Sequence, residues 1–263
     1  MATSPRDTKG RPYHIQLEKS QVGRVALLPG DPDRAQRIAS HFRDAEELSS
    51  HREFRAFGGF VGDEYVIAMS TGIGGPSTAI AIEELARLGV KTMIRIGTCG
   101  ALRRETKVGS LIIAEAAVRL DGTTRQYVME AYPAAASPEI VIRLQEAARA
   151  LRKASASGIT ASTDSFYVGQ GRPGFRGYMP SFARELLPDL RSSGVLCFEM
   201  ESSVLFTLGR LFDIRTGAVF AVLANRSTNE FIPDAGVDDA IAVAIEAVRR
   251  LSSGTTATRR KKQ

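Results

Sequence analysis

The chain has 263 residues, of which 43% are hydrophobic and 24% are charged, a composition typical of a globular protein with a sizeable core. No run approaches the roughly 18 consecutive apolar residues of a membrane span, and residues 1–10 lack the apolar segment of a secretory signal, so we expect a cytoplasmic protein without a membrane partner. The two cysteines, Cys99 and Cys197, have no Cys or His nearby at metal-ligand spacing, which argues against a disulfide framework and a structural zinc site.

The formal net charge of +6 comes from the two ends of the chain. Residues 259–262 supply four positive charges, residues 1–20 add a net two, and residues 21–258 are neutral overall. The chain has no Trp and no basic segment interleaved with aromatic residues, so we expect no nucleic-acid partner. We predict an N-terminal arm at 1–20, one globular domain at 21–253 and a basic, disordered tail at 254–263.

Short apolar runs alternate with segments of helical period, which predicts a single α/β domain. The predicted strands cover residues 25–28, 65–70, 92–96, 111–116, 159–162, 195–198 and 217–223. The predicted helices are one that begins at Pro32, behind the cap Asp31, and those over residues 78–88, 138–153, 201–211 and 237–251. Residues 120–136 and 169–177 are rich in turn-forming residues and are predicted to be functional loops.

In open α/β sheets a ligand binds beyond the carboxyl ends of the strands. After the first strand, the segment LPGDPDR places Gly30 and Arg34 at a helix start, where backbone N–H groups and a cation favour an anion. A capped helix with a surface arginine is an equally good interpretation of this segment. The glycine-rich turn STGIGGPS at 70–77 lacks the third glycine of a dinucleotide-binding loop and the acidic residue that follows it, so a packing turn is the better interpretation there.

Two further strand ends carry charged side chains. Arg95, in the apolar segment IRIGTCG, is suited with Thr98 to bidentate binding of phosphate or carboxylate, and the alternative is a buried ion pair with a structural carboxylate. The acids of FEMES at 198–202 can bind a vicinal diol such as the ribose hydroxyls, although Glu201 is also explained by its place at a helix N-terminus. Arg52, in HREF, is another candidate, with an exposed strand arginine as the alternative.

Together, these segments resemble the nucleoside phosphorylase-I superfamily and, within it, the uridine phosphorylases. The resemblance runs from about residue 14 to residue 250, and its motifs are LPGDPDR at 28–34, HREF at 51–54, STGIGGPST at 70–78, RIGT at 95–98, VRLDG at 118–122, FYVGQGR at 166–172 and EMES at 199–202. It implies a single domain with a central mixed, partly barrel-like β-sheet flanked by helices. It also implies a homo-hexamer built from three dimers, with sites shared across the dimer interface.

The resemblance implies a role for the residues of each motif. The implied phosphate site comprises Gly30, Arg34, Arg95 and Thr98, with Arg52 from the neighbouring subunit. The implied ribose site comprises Met200 and Glu201, with His14 reaching in from the neighbouring subunit toward the 5′-hydroxyl. The implied base site comprises Phe166, Gln170, Arg172 and Arg226. Catalysis is assigned to Arg95, Gln170, Arg172 and Glu201, no organic cofactor is needed, and a potassium ion at the dimer contact is assigned to Glu53, Ile73 and Ser77.

The implied activity is the reversible phosphorolysis of uridine to uracil and ribose 1-phosphate, in pyrimidine salvage, with deoxyuridine or thymidine as further substrates. Purine-specific relatives place an Asp general acid after the strand that ends here in LANRS at 223–227, and this chain has none. A purine nucleoside phosphorylase, a nucleosidase of the same fold and a non-catalytic nucleoside-binding protein stay as alternatives. Three departures from the family pattern, Cys99, Pro173 and Phe198, leave the preference among pyrimidine nucleosides open.

Overall fold

A computed structural model of the chain describes residues 3–260, with side chains described through Leu251. The α-helices in this part are α1 (Pro32–Ala39), α2 (Gly75–Leu88), α3 (Pro138–Ala150), α4 (Ser181–Ser192), α5 (Ser202–Leu211) and α6 (Val237–Arg260). The strands are β1 (Val25–Leu28), β2 (Arg43–His51), β3 (Phe54–Val61), β4 (Glu64–Met69), β5 (Thr92–Ala101), β6 (Leu111–Leu120), β7 (Ala134–Ala135), β8 (Ser155–Thr163), β9 (Cys197–Glu199), β10 (Arg215–Asn225) and β11 (Glu230–Phe231). Within the described range, none of the helices has the length and apolar character needed to cross a membrane.

Five of the strands close into a barrel. Strand β5 pairs in parallel with β10, β10 pairs antiparallel with β6, β6 and β8 are parallel, β8 and β9 are parallel, and β9 returns antiparallel to β5. From β5 the sheet continues through β1, β4, β3 and β2, while β7 and β11 add short edges to β6 and β10. Helices pack around this sheet, so the predicted α/β fold with a mixed, partly barrel-like sheet is confirmed.

Strand β5 extends beyond its predicted end at residue 96 because it pairs with β10 as far as Ala101, which lies opposite Asn225. The long pairing requires a small residue at Gly97, where a Cβ would lie 2.7 Å from the ring of Phe220. Thr98 and Cys99 therefore lie in the barrel wall itself, not in a loop after the strand.

Neither strand of the hairpin formed by β2 and β3 was predicted. Strand β2 has the polar sequence RDAEELSSH and is exposed along most of its length, while the largely buried β3, with the sequence FRAFGGFV, was missed as well. Arg52 lies in the two-residue turn of this hairpin, in the left-handed region with φ of +56°, so the interpretation of Arg52 as a strand residue is wrong. Helix α4 was also missed, since Pro188 interrupts the helical pattern that predicts such an element.

The two ends of the chain pack differently from each other. Ile15 and Leu17, within the predicted N-terminal arm, are fully buried against the core. Helix α6 continues through Arg260, into the residues predicted as a disordered tail, and residues 261–263 lie outside the described part of the chain. The division into arm, domain and tail stays a prediction.

A first prediction concerns the contact between β10 and α3. At Gly217 a Cβ would lie 2.4 Å from Cγ2 of the Ile140 side chain. We expect Gly217→Ala to lower the free energy of unfolding by about 1–3 kcal/mol, because the added methyl group forces helix and sheet apart. Gly122→Ala is the matched control, since its nearest contact would be an ordinary 3.5 Å to Asp164 Oδ2. Urea unfolding measures both variants, and equal stability would contradict the prediction.

Candidate active site

A cavity of about 880 Å³ opens where the ends of β1, β5, β9 and β10 meet. Most of the predicted site residues line it, namely Gly30, Arg34, Glu53, Ile73, Arg95, Thr98, Phe166, Gln170, Arg172, Met200, Glu201 and Arg226. These residues come from segments far apart in the sequence, and the closure of the barrel brings them together. Their individual roles stay predictions.

Arg95 is the buried cation of this cavity. Its side chain lies in the barrel wall, its Nη2 donates to Glu201 Oε2, and its Nε lies 4.0 Å from Glu199 Oε2. The ion pair that the sequence offered only as the weaker alternative is therefore present. Nε and Nη1 have no hydrogen-bond partner, although buried donors are normally paired. The protein therefore compensates the positive charge of Arg95 only in part.

Glu201 is buried at the start of α5 and links three elements of the site. Its Oε1 accepts a hydrogen bond of 2.6 Å from the backbone N–H of Gly74, at the start of α2, and its Oε2 accepts from Arg95. Burial raises the pKa of Glu201, Arg95 opposes that rise, and the negative charge of Glu199 adds to it. The ionised form of Glu201 therefore depends on the positive charge of Arg95.

Glu199 was quoted within the EMES motif but was not assigned to the predicted site. Its carboxylate accepts from the hydroxyl of Ser162 and, at 2.8 Å each, from the backbone N–H groups of Glu201 and Ser202. These bonds fix the turn between β9 and α5, which places Met200 and Glu201 in the cavity wall. An acidic residue at the end of an apolar strand was the available signal, because a buried carboxylate requires such donors.

Phe166, Gln170, Arg172 and Arg226 hold one another in place at the other end of the cavity. The Arg172 guanidinium carbon lies 4.1 Å from the centroid of the Phe166 ring, and Nη1 donates to Phe166 O at 2.7 Å and to Gln170 Oε1 at 2.5 Å. Nη1 of Arg226 donates to Gln170 O at 2.9 Å. Burial and the neighbouring Arg226 lower the pKa of Arg172 to about 10, so the side chain is still charged at neutral pH.

Three predicted site residues do not line this cavity. Arg52 is exposed in its turn, with the guanidinium carbon 5.8 Å from the ring centroid of Tyr13. His14 lines a separate cavity of about 330 Å³, where Nδ1 lies 2.7 Å from Glu84 Oε1. Ser77 donates its hydroxyl to the carbonyl of Ile73 at 3.3 Å, at the edge of the main cavity.

Asn225 lies at the end of β10, in the segment LANRS where purine-specific relatives are expected to carry an Asp. Both the Nδ2 and the Oδ1 of its side chain form hydrogen bonds. Nδ2 donates to the backbone carbonyls of Arg103 and Thr106 at 3.0 and 2.7 Å, and Oδ1 accepts from the N–H of Ser227 at 2.8 Å. These bonds anchor the loop 226–236. Three residues of this loop that the sequence did not single out also line the cavity, namely Asn229, Glu230 and Phe231.

A second prediction concerns Glu199. We expect Glu199→Gln to lower the free energy of unfolding by about 2–4 kcal/mol, because an amide NH₂ replaces a buried acceptor and Arg95 loses a balancing charge. Glu105→Gln is the control, since the Glu105 side chain is 74% exposed and lies 3.9 Å from Arg103. Its cost should stay below about 0.5 kcal/mol. Urea unfolding compares the two variants, and a similar decrease in the free energy of unfolding in both would contradict a structural role for Glu199.

Comparisons with known proteins show which family the chain belongs to. A family model described as the phosphorylase superfamily matches residues 24–257. The uridine phosphorylase of Thermococcus kodakarensis is 51% identical over 251 residues, which cover 95% of this chain and 90% of that protein. The uridine phosphorylase of Haemophilus influenzae is 40% identical over 92% of this chain and 98% of its own length, and the guanosine phosphorylase of Halorubrum lacusprofundi is 34% identical over 81% and 83%. The chain belongs to the phosphorylase superfamily.

Proposed function

We propose that this chain is an enzyme that catalyses the reversible phosphorolysis of uridine to uracil and ribose 1-phosphate. The observation that carries the proposal is the charge arrangement of one cavity, with Arg34 and Arg95 at one end and the Phe166, Gln170 and Arg172 cluster at the other. Phosphorylases use inorganic phosphate as co-substrate and need no organic cofactor. The similarity to uridine phosphorylases over most of the chain supports uridine as the nucleoside.

The arginine end of the cavity suits a phosphate dianion. Two buried nitrogens of Arg95, Nε and Nη1, have no hydrogen-bond partner, and burial and the charge of Arg95 lower the pKa of the half-buried Arg34. An anion between two such cations relieves their repulsion. Gly30 lets two turns of the cavity wall approach closely, because a Cβ there would lie 3.1 Å from Gly72 O. We assign Thr98 to the same phosphate site.

The ribose is assigned to Met200 and Glu201, between the two ends of the cavity. Each carboxylate oxygen of Glu201 has already accepted one hydrogen bond, from Gly74 and from Arg95. Each oxygen can accept a second bond, so the group has room for the two vicinal hydroxyls of ribose. Held in this way, the sugar presents C1′ between phosphate and base.

Catalysis follows from where charge develops in the reaction. As the bond from C1′ to the base breaks, the sugar gains positive character and the uracil gains negative charge. The phosphate at the arginine end stabilises the sugar and then forms the new bond to C1′. Arg172, still charged at neutral pH, and Gln170 stabilise the leaving uracil anion by hydrogen bonds to its oxygens and N3. Neither free thiol, Cys99 or Cys197, is needed as a nucleophile.

The residues outside the cavity fit an assembly in which subunits share sites, and we propose the homo-hexamer of three dimers, in the cytoplasm. Arg52 and His14 are exposed or half-buried and do not reach the cavity of their own chain. Each is assigned to the cavity of a neighbouring subunit, Arg52 at phosphate and His14 at the 5′-hydroxyl. Glu53, Ile73 and Ser77 meet around Gly72, where a Cβ would lie 2.8 Å from Glu53 Cγ and 3.2 Å from Ser77 Oγ. Their carboxylate, carbonyl and hydroxyl oxygens are suitable ligands for potassium.

A third prediction tests the reaction itself. We expect ultraviolet-monitored cleavage of uridine only when inorganic phosphate is present, with ribose 1-phosphate as the second product. Thymidine and inosine are tested beside uridine. Cleavage of inosine but not uridine would favour a purine nucleoside phosphorylase, release of uracil without phosphate would favour a nucleosidase, and binding without turnover would favour a nucleoside-binding protein.

A fourth prediction separates the two ends of the cavity. We expect Arg95→Ala to lower kcat/KM for phosphate by about 10²–10³-fold, because a buried cation that positions the attacking phosphate is lost. Arg172→Ala should instead impair discrimination for uracil nucleosides, with a smaller change in KM for phosphate. Arg176→Ala is the control, because Arg176 is exposed and stacks on Phe175 at 5.2 Å outside the cavity. Equal losses with both substrates in the Arg95 and Arg172 variants would contradict these assignments.

A further inference from the structure

Arg34 is a cation at the cavity wall that the chain leaves without a carboxylate partner. It lies in the first turn of α1 and lines the cavity. Throughout the described part of the chain, no hydrogen bond or ion pair joins its guanidinium to an acidic side chain. Burial lowers the pKa of Arg34, and the charges of Arg95 and Arg37 lower it further, while the charges of Asp31 and Asp234 oppose that effect. Neither of these carboxylates binds Arg34.

Both of these carboxylates are bound by other donors. Asp31 caps α1, and its Oδ1 accepts from the backbone N–H of Asp33 at 2.9 Å. Asp234 accepts from Nη1 of Arg37 at 2.7 Å, and Nε of the same arginine donates to Asp238 at 2.7 Å. Arg37 thus binds both Asp234, which lies just before α6, and Asp238, in the first turn of α6.

Arg34 and Arg37 are three residues apart on α1, and this spacing makes Asp234 a competitor of phosphate for the Arg34 guanidinium. Residues three apart on a helix lie on one face with their Cβ atoms roughly 5–6 Å apart, as do Arg34 and Arg37. The backbone near Asp234 is constrained, since its φ is +66° and a Cβ at Gly236 would lie 2.5 Å from Gly109 O. Arg37 therefore binds Asp234 from the same face of α1 that carries Arg34.

We infer that Arg37 is a positioning residue, which holds Asp234 away from Arg34 and so keeps the Arg34 guanidinium free for phosphate. The inference rests on the proposed function, because phosphate is the ligand that Arg34 is kept free to bind. Carboxylate and phosphate compete for the same fork of N–H donors. Without Arg37, Asp234 loses the donor that holds it, while Arg34 lies on the same face of α1, and an intramolecular carboxylate is present at high effective concentration.

The experiment is isothermal titration of inorganic phosphate into the wild-type protein and three variants. Arg37→Ala should weaken phosphate binding about fivefold, which corresponds to about 1 kcal/mol. Adding Asp234→Asn to that variant should restore wild-type affinity, because the competing charge is gone. Adding Asp238→Asn instead is the matched control: it also removes an acid that Arg37 binds, yet it leaves Asp234 free and should restore nothing.

A parallel kinetic measurement separates positioning from a general structural effect. In Arg37→Ala we expect KM for phosphate to rise while KM for uridine and the thermal unfolding midpoint stay close to wild type. Unchanged phosphate affinity in Arg37→Ala would overturn the inference, as would a loss of affinity that Asp234→Asn does not restore. In either case, phosphate-dependent cleavage of uridine by the wild type would still support the proposed function. A wild-type protein that neither binds phosphate nor uses it would overturn both.

Discussion

The burial of one positive charge in the wall of a closed barrel governs the arrangement of this molecule. Arg95 is 5% exposed within a strand that is otherwise apolar. A buried cation is tolerated only when opposite charges and hydrogen bonds compensate for its lost hydration. Glu201 and Glu199 supply that compensation, and each is held in turn by backbone N–H groups at the beginning of a helix. Through these two carboxylates, Arg95 is linked to the turn before α5 and to the start of α2.

Compensation is incomplete in a way that matters for chemistry. Glu201 balances the charge of Arg95 through Nη2, while Nε and Nη1 have no hydrogen-bond partner. The same carboxylate keeps unused acceptor capacity on both oxygens. A pair of groups that are each half satisfied is costly for stability, and such strain is expected where a protein is built to bind a polar ligand. Cation and carboxylate thus face the same cavity with donors and acceptors still available.

The cavity separates its polar functions by distance, and rigid contacts maintain the separation. The base-end cluster is fixed by stacking and by hydrogen bonds among its own members, with Arg172 against Phe166 and Arg226 against the Gln170 backbone. Asn225 and its five hydrogen bonds anchor the loop that borders both ends. Around Arg34, by contrast, neighbouring carboxylates are bound by other donors, so one arginine keeps its charge unneutralised.

The sequence alone determined the alternation of strands and helices, the α/β class and candidate residues at strand ends such as Arg34, Arg95 and Glu201, because apolar periodicity and strand-end motifs are local signals. The base-end residues Phe166, Gln170, Arg172 and Arg226 were implied by the resemblance to a family. The sequence pattern missed the hairpin of β2 and β3, the short strands β7 and β11, and α4, in which Pro188 interrupts the helical pattern, and it ended β5 too early at residue 96. Only the tertiary structure decided that β5 pairs with β10 to close the barrel, that Glu199 holds the turn carrying Glu201, and that Arg95 is ion-paired. It also left Arg52 and His14 outside the cavity of their own chain. These outcomes depend on which distant segments meet, and a single sequence carries no signal for the long-range pairing that sets those distances.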